Sequence, residues 1–276
     1  MPAPISQFAN VGNTKLHYLS TSQNVTPKIT LLLHGWPTSS YLWRNVMKHL
    51  TPDETVIALD LPGFGQSDKP TQGAYSLDYY QQIIQQFLNA LGVNKVNLVV
   101  HDLGGPVGLY WAVLNQSKLH KLVLLNTLVY PELHWFVKLF IALSFVPGIR
   151  GLMSSQRGIK FAMQLGTTST LPNESIDVYQ SPFRTKKERL ALIQTLQKVS
   201  PKKLATIATG LKDLSQPIQI IYGTKDFALP DVANTMKRVK QDLPQAVIHK
   251  LPGCGHFLQE DEPEKVSALM REFLMS

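Results

Sequence analysis

The chain has 276 residues, 44% hydrophobic and 17% charged, a balance that suits a folded protein with a sizeable core and excludes a disordered one. Its net charge of +8 is dispersed, with Lys–Lys pairs only at 186–187 and 202–203, so no basic stripe or recognised module points to nucleic acid. A single cysteine, Cys254, excludes an internal disulfide and reads as a small packed residue in a reducing compartment.

The opening "MPAPISQFANVGN" lacks the basic start and apolar run of a secretory leader, so a cytoplasmic protein is expected. Residues 7–19 predict two short strands around the turn "VGN". Continuous apolar runs at 28–34, 54–60, 95–101 and 121–126 predict strands covered on both faces. Between them Ile83, Ile84, Phe87, Leu88 and Leu91 recur at helical spacing, with Gly92 as the stop. This alternation predicts an α/β fold with a mostly parallel central sheet and helices on both faces.

After Asn126 the alternation ceases. Residues 127–215 read as helices and loops, punctuated by Pro131, Pro147, Pro172, Pro182 and Pro201. Strand patterns return at 217–223 and 246–252, and a helix closes the chain from about 262. Residues 1–126 and 216–276 are therefore expected to form one core, and 127–215 an inserted helical cap. Such a cap lies over the carboxyl edge of the sheet, where open α/β sheets bind ligands. Within it, "LHWFVKLFIALSFVPGI" (133–149) is apolar but interrupted by Lys138 and ended by Pro147. It falls short of the roughly 20 residues a bilayer span needs, and predicts a buried or lid helix, with membrane contact as the alternative.

Three polar side chains follow predicted strands: Asp102 after "NLVVH", Asp226 after "IIYGTK" and His256 after "IHKLPGCG". All three would emerge on one sheet edge. Singly, each reads as a cap, a turn residue or an ordinary surface histidine. Together, in the order nucleophile, acid, histidine, they describe a catalytic set. At Gly104 and Gly105 a side chain would crowd the sharp strand-to-helix turn, and Gly tolerates the backbone angles it requires; the start of that helix favours an ionised Asp102. The backbone N–H groups of Trp36, after "HG", and Leu103, after the nucleophile, would form an oxyanion hole. Trp43 and Trp111 read as core.

"HGWPTSSYLWRNV", "DLPGFGQSDKP" (60–70), "HDLGG" and "GCGHFLQEDEP" (253–263) resemble the haloalkane dehalogenase branch of the α/β hydrolases. The likeness runs through nearly the whole chain, and "VYQSPFRTKKER" (178–189) is similar to that family's lid. The resemblance implies the α/β-hydrolase fold, with Asp102 as nucleophile, His256 as base and Asp226 orienting His256. Some relatives place the acid after the preceding core strand, where this chain has Asn126. Two departures concern the leaving group: Leu103 stands where a halide-binding Trp usually follows the nucleophile, and Trp36 where many members have Asn.

A carboxylate nucleophile is already anionic near neutral pH. It can attack a saturated carbon directly and leave an alkyl ester, which a histidine-activated water then opens. The expected reaction takes a small apolar haloalkane and water to an alcohol and a halide ion, with no cofactor or metal. Trp36 and Trp135 are the candidate indole donors to the halide. Epoxide hydrolysis is the alternative, with Tyr130 and Tyr179 as candidate acids for the ring oxygen, and a non-catalytic ligand binder using the same pocket is the third reading.

Overall fold

The computed structural model describes residues 3–50 and 54–276; Met1 and Pro2, the start of the stretch read against a leader, lie outside them. Eight strands form one sheet: β1 (Ile5–Val11), β2 (Thr14–Ser20), β3 (Lys28–Leu33), β4 (Thr55–Leu59), β5 (Lys95–Asp102), β6 (Leu119–Thr127), β7 (Ile218–Gly223) and β8 (Val247–Leu251). Their spatial order is β1-β2-β4-β3-β5-β6-β7-β8. β1 and β2, joined at Gly12, pair antiparallel, as do β2 and β4, and every other pair is parallel.

The apolar runs of the sequence are the central strands. Leu31, Leu32, Leu33, Val99, Val100 and Leu124 are fully buried because helices cover both faces. Each such side chain contributes roughly 1.5–3 kcal/mol on leaving water. The helix Leu77–Ala90 starts on a Ser76 cap and is followed by Leu91 and then Gly92 at φ 68°, the left-handed conformation that ends helices. Trp43 and Trp111 are buried, as is Cys254. The closing helix spans Pro263–Met275.

Chain direction across the sheet reverses beside β3. From β4 the chain crosses over β3 to reach β5. The carboxyl ends of β3 and β5 therefore flank the crevice at which doubly wound sheets bind ligands.

Between β6 and β7 the regular elements are helices, chiefly Trp135–Leu143, Pro147–Met153, Gln156–Gly166, Asn173–Gln180, Lys186–Gln197 and Pro201–Leu211. The last packs on the core helix Gly104–Leu114, where Gly210 meets Val113. The apolar segment 133–149 is two helices rather than one, bent by 106°, with Pro147 opening the second. It is also mostly not buried: of Trp135–Leu143 only Val137 is buried. Among the described residues no single helix is long and apolar enough to cross a membrane.

Candidate active site

The site begins with a strained residue. Asp102 ends β5 at φ 48°, a left-handed conformation that an Asp tolerates better than a branched residue would and that costs about 1–3 kcal/mol. Gly104 and Gly105 do not carry that angle, so of the two reasons expected for them the unusual backbone fails and the crowding holds. They are small because of what surrounds them. A Cβ at Gly104 would press on the Leu33 and His34 carbonyls, and one at Gly105 would overlap Thr127 Oγ1. Thr127 Oγ1 donates to the Asp102 carbonyl at 2.6 Å, closing the elbow against β6. Gly35 has a similar reason: a Cβ there would occupy the space of the Asp102 side chain. "HG" in the sequence signals this approach as well as the N–H that follows.

The folded chain brings Asp102, His256 and Asp226 into one line. His256 Nε2 lies 3.4 Å from Asp102 Oδ2, and His256 Nδ1 lies 2.8 Å from Asp226 Oδ2. Asp226 Oδ1 accepts the backbone N–H groups of Ala228 and Leu229, each at 2.8 Å. Asn126 Nδ2 donates to Asp226 Oδ2 at 2.7 Å, while its Oδ1 accepts Gly223 N–H at 3.0 Å. The buried imidazole of His101 reaches the His256 carbonyl at 2.9 Å. In the sequence Asn126 stands out only as a position without an acid, and His101 and Thr127 do not stand out at all. A signal exists in "LNT" at the end of a strand beside β5, but its partners are 100 residues away for Asn126.

Electrostatics follow from this crowding. Burial opposes the charge on Asp102, yet the close approach and charge of His256, aided by the Leu103 N–H, hold its carboxyl below the ordinary carboxylate range. Burial likewise opposes protonated His256. The Asp226 charge and hydrogen bond, with the Asp102 carboxylate 3.4 Å away, outweigh it and push the imidazole up to about 10. His101, by contrast, is pushed down to about 3 by burial and by His256, so it stays neutral.

Trp36 N–H donates to Asp102 Oδ1 at 2.6 Å. With Oδ1 held there, Oδ2 faces His256 and the cavity. That cavity is about 790 Å³ counted to its open mouth. Besides the floor residues, its walls include Leu128, Phe136, Val137, Phe140, Leu196 and Leu229. Among the described residues of its lining, Asp102 and His256 are the only ionisable groups.

The four side chains expected at the leaving group are placed otherwise. The Trp36 ring lines the cavity, but its indole N–H turns to the Leu192 carbonyl at 3.3 Å. Trp135 is 66% exposed on the outer face of its helix, whose Phe136, Val137, Phe140 and Ile141 face the cavity instead. Tyr130 donates to Asp242 at 2.8 Å, and Tyr179 donates to Glu260, which also binds Arg44. Neither tyrosine lines the cavity. Their positions between β6 and β7 are legible in the sequence, but side-chain direction is not.

The family described as the alpha/beta hydrolase fold matches residues 30–263, which covers most of the chain. The chain belongs to the α/β hydrolases. Haloalkane dehalogenase 2 of Mycobacterium tuberculosis is 25% identical over 278 residues, covering 97% of this chain and 94% of that one. Cis-3-alkyl-4-alkyloxetan-2-one decarboxylase of Shewanella oneidensis is also 25% identical, over 288 residues, covering 97% and 87%. In fold, this α/β hydrolase is similar to the crystal structure of a haloalkane dehalogenase from Agrobacterium tumefaciens, with a TM-score of 0.86 and 24% identity over 99% of this chain and 96% of that one. It is thus a haloalkane dehalogenase-like α/β hydrolase.

Proposed function

We propose that the protein hydrolyses an apolar alkyl halide through an ester formed on Asp102. The observation that carries this reading is the line Asp102–His256–Asp226, with His256 hydrogen-bonded to Asp226 and 3.4 Å from Asp102, at the floor of a cavity whose walls are otherwise apolar. Oδ2 of Asp102 attacks the carbon, and the carbon–halogen bond breaks with its electron pair going to the halide. Alkylation removes the negative charge 3.4 Å from His256 Nε2, so the imidazole loses one of the partners that raised its pKa. His256 then releases its proton and becomes a base at the moment a base is needed. Water, deprotonated by His256, adds to the ester carbon of Asp102. The oxyanion develops on Oδ1, the atom that Trp36 N–H already holds. Collapse frees the alcohol, and the sum is haloalkane plus water to alcohol, halide and a proton.

The epoxide alternative loses the residues proposed for it, since Tyr130 and Tyr179 are bonded elsewhere. The lining favours one other reading. A halide leaves in line with the attacking oxygen, toward walls that, among the described residues, offer no free side-chain N–H or O–H, and an unpaired anion in such a place costs several kcal/mol. A 3,4-dialkyl-oxetan-2-one, the substrate class in the name of the Shewanella relative, leaves no lasting anion there. Attack of Asp102 on its C4 expels a carboxylate that stays tethered. Loss of neutral carbon dioxide then passes the bonding pair into a carbon–carbon double bond and releases Asp102.

One turnover in heavy-oxygen water separates the two. Bromide release from a bromoalkane with label in the Asp102 carboxylate supports hydrolysis. Alkene and carbon dioxide from the oxetanone, with no label entering Asp102, supports decarboxylation. An unlabelled Asp102 and no turnover of either compound overturns both.

A further inference from the structure

The helix Trp135–Leu143 is apolar on two faces. Phe136, Val137, Phe140 and Ile141 turn to the cavity, while Trp135, Lys138, Leu139 and Ala142 turn outward at helical spacing. A helix apolar all round is ordinarily buried. This one is not, and its neighbours extend the outer apolar surface: Phe145 is 58% exposed, Leu152 63% and Phe161 65%. So many exposed apolar side chains on three consecutive helices and their joints mark an interaction surface.

Charge identifies the occupant. Residues 133–173 contain no Asp or Glu, but carry Lys138, Arg150, Arg157 and Lys160. Beside the bend, Arg150, Lys186 and Arg189 line one cleft of about 820 Å³ counted to its open mouth, with Pro147 and the half-exposed Leu190 also in its lining. Among the described residues none of these three cations is in a salt bridge. The acid nearest in sequence, Glu188, accepts the Thr185 N–H in a capping box. Exposed aromatic and aliphatic side chains edged by cations are the pattern of a segment lying in the plane of a bilayer with anionic headgroups.

We propose that this outer face docks on an anionic lipid surface, with Arg150, Lys186 and Arg189 seating a phosphate-bearing headgroup. Trp135, Phe145, Leu152 and Phe161 enter the headgroup–acyl boundary. Leu165 is exposed on this side and also lines the cavity, so the cavity mouth opens where an apolar compound dissolved in the bilayer would leave it.

The test is flotation with extruded phosphatidylcholine vesicles, with or without about 30 mol % phosphatidylglycerol, at low and high salt. The bound fraction rises at least tenfold with the anionic lipid and falls with salt. Trp36, Trp43 and Trp111 are buried, so a blue shift of tryptophan emission on binding reports Trp135 and disappears in Trp135→Phe. Phe145→Ser with Leu152→Ser abolishes the emission shift and weakens binding by more than fivefold, with an unchanged melting temperature. Reversing Arg150, Lys186 or Arg189 to Glu weakens it by about fivefold or more each. Reversing Lys237 and Lys265 on core helices leaves binding within twofold. Three results overturn the proposal: no binding to anionic vesicles, equal weakening by the Lys237 and Lys265 reversals, or a dimer in solution that Phe145→Ser dissolves.

Discussion

Asn126 and His256 address the same oxygen of Asp226. Asn126 Nδ2 donates to Oδ2 at 2.7 Å and His256 Nδ1 at 2.8 Å, while two backbone N–H groups hold Oδ1. The carboxylate is thereby fixed in its plane, and the imidazole tautomer with it. Asn126→Ala removes one of these constraints and leaves a buried lone pair unfilled. Turnover falls by roughly ten- to a hundredfold, the rate equivalent of about 1–3 kcal/mol. Steady-state assays read it as a loss in kcat with KM little changed, and Asn126→Asp, which sets a second carboxylate against Asp226, falls at least as far.

Nucleophile and base separate in time. Asp102→Asn abolishes adduct formation, a loss of roughly 10⁴-fold or more. His256→Gln still forms the adduct, because the first step uses only the Asp102 anion. Mass analysis of the peptide holding Asp102 then shows the alkyl group trapped in the histidine variant and absent in the aspartate variant.

The pH response of the wild type has the same origin. Asp102 remains ionised below the ordinary carboxylate range, so alkylation continues in mild acid. Ester hydrolysis requires neutral His256, whose pKa falls once Asp102 is esterified. At pH about 5 the wild type therefore accumulates adduct that clears at pH about 8, as quench-and-mass measurements would record.

Stability moves the opposite way with alkali. His256 titrates at about 10 in the folded protein, against 6.5 for an unperturbed imidazole. A raised folded value means that its contribution is complete below about pH 6.5 and is lost as pH climbs through about 10. Thermal melts from pH 6 to 10 fall more steeply for wild type than for His256→Gln.

Tyr130 and Tyr179 affect structure rather than chemistry. Tyr130→Phe leaves turnover within about twofold. Tyr179→Phe deprives Glu260 of a partner beside Arg44 and lowers the melting temperature by a few degrees, on a scale of about 2–4 °C per kcal/mol. A loss of turnover in Tyr130→Phe without loss of fold would restore that hydroxyl to the site.

By itself the sequence determined the order of strands and helices, because continuous apolar runs and helical spacing record burial directly. It also marked Asp102, Asp226 and His256, since each follows such a run and strand ends share one edge of a parallel sheet. Only the tertiary structure decided where the other side chains point. Tyr130 and Trp135 look alike in sequence, as aromatics between the same two strands. One is buried against Asp242 and the other stands in solvent. Direction depends on how each inserted helix is rotated against its neighbours, and a helix apolar on two faces, such as Trp135–Leu143, carries no periodicity that says which face turns inward.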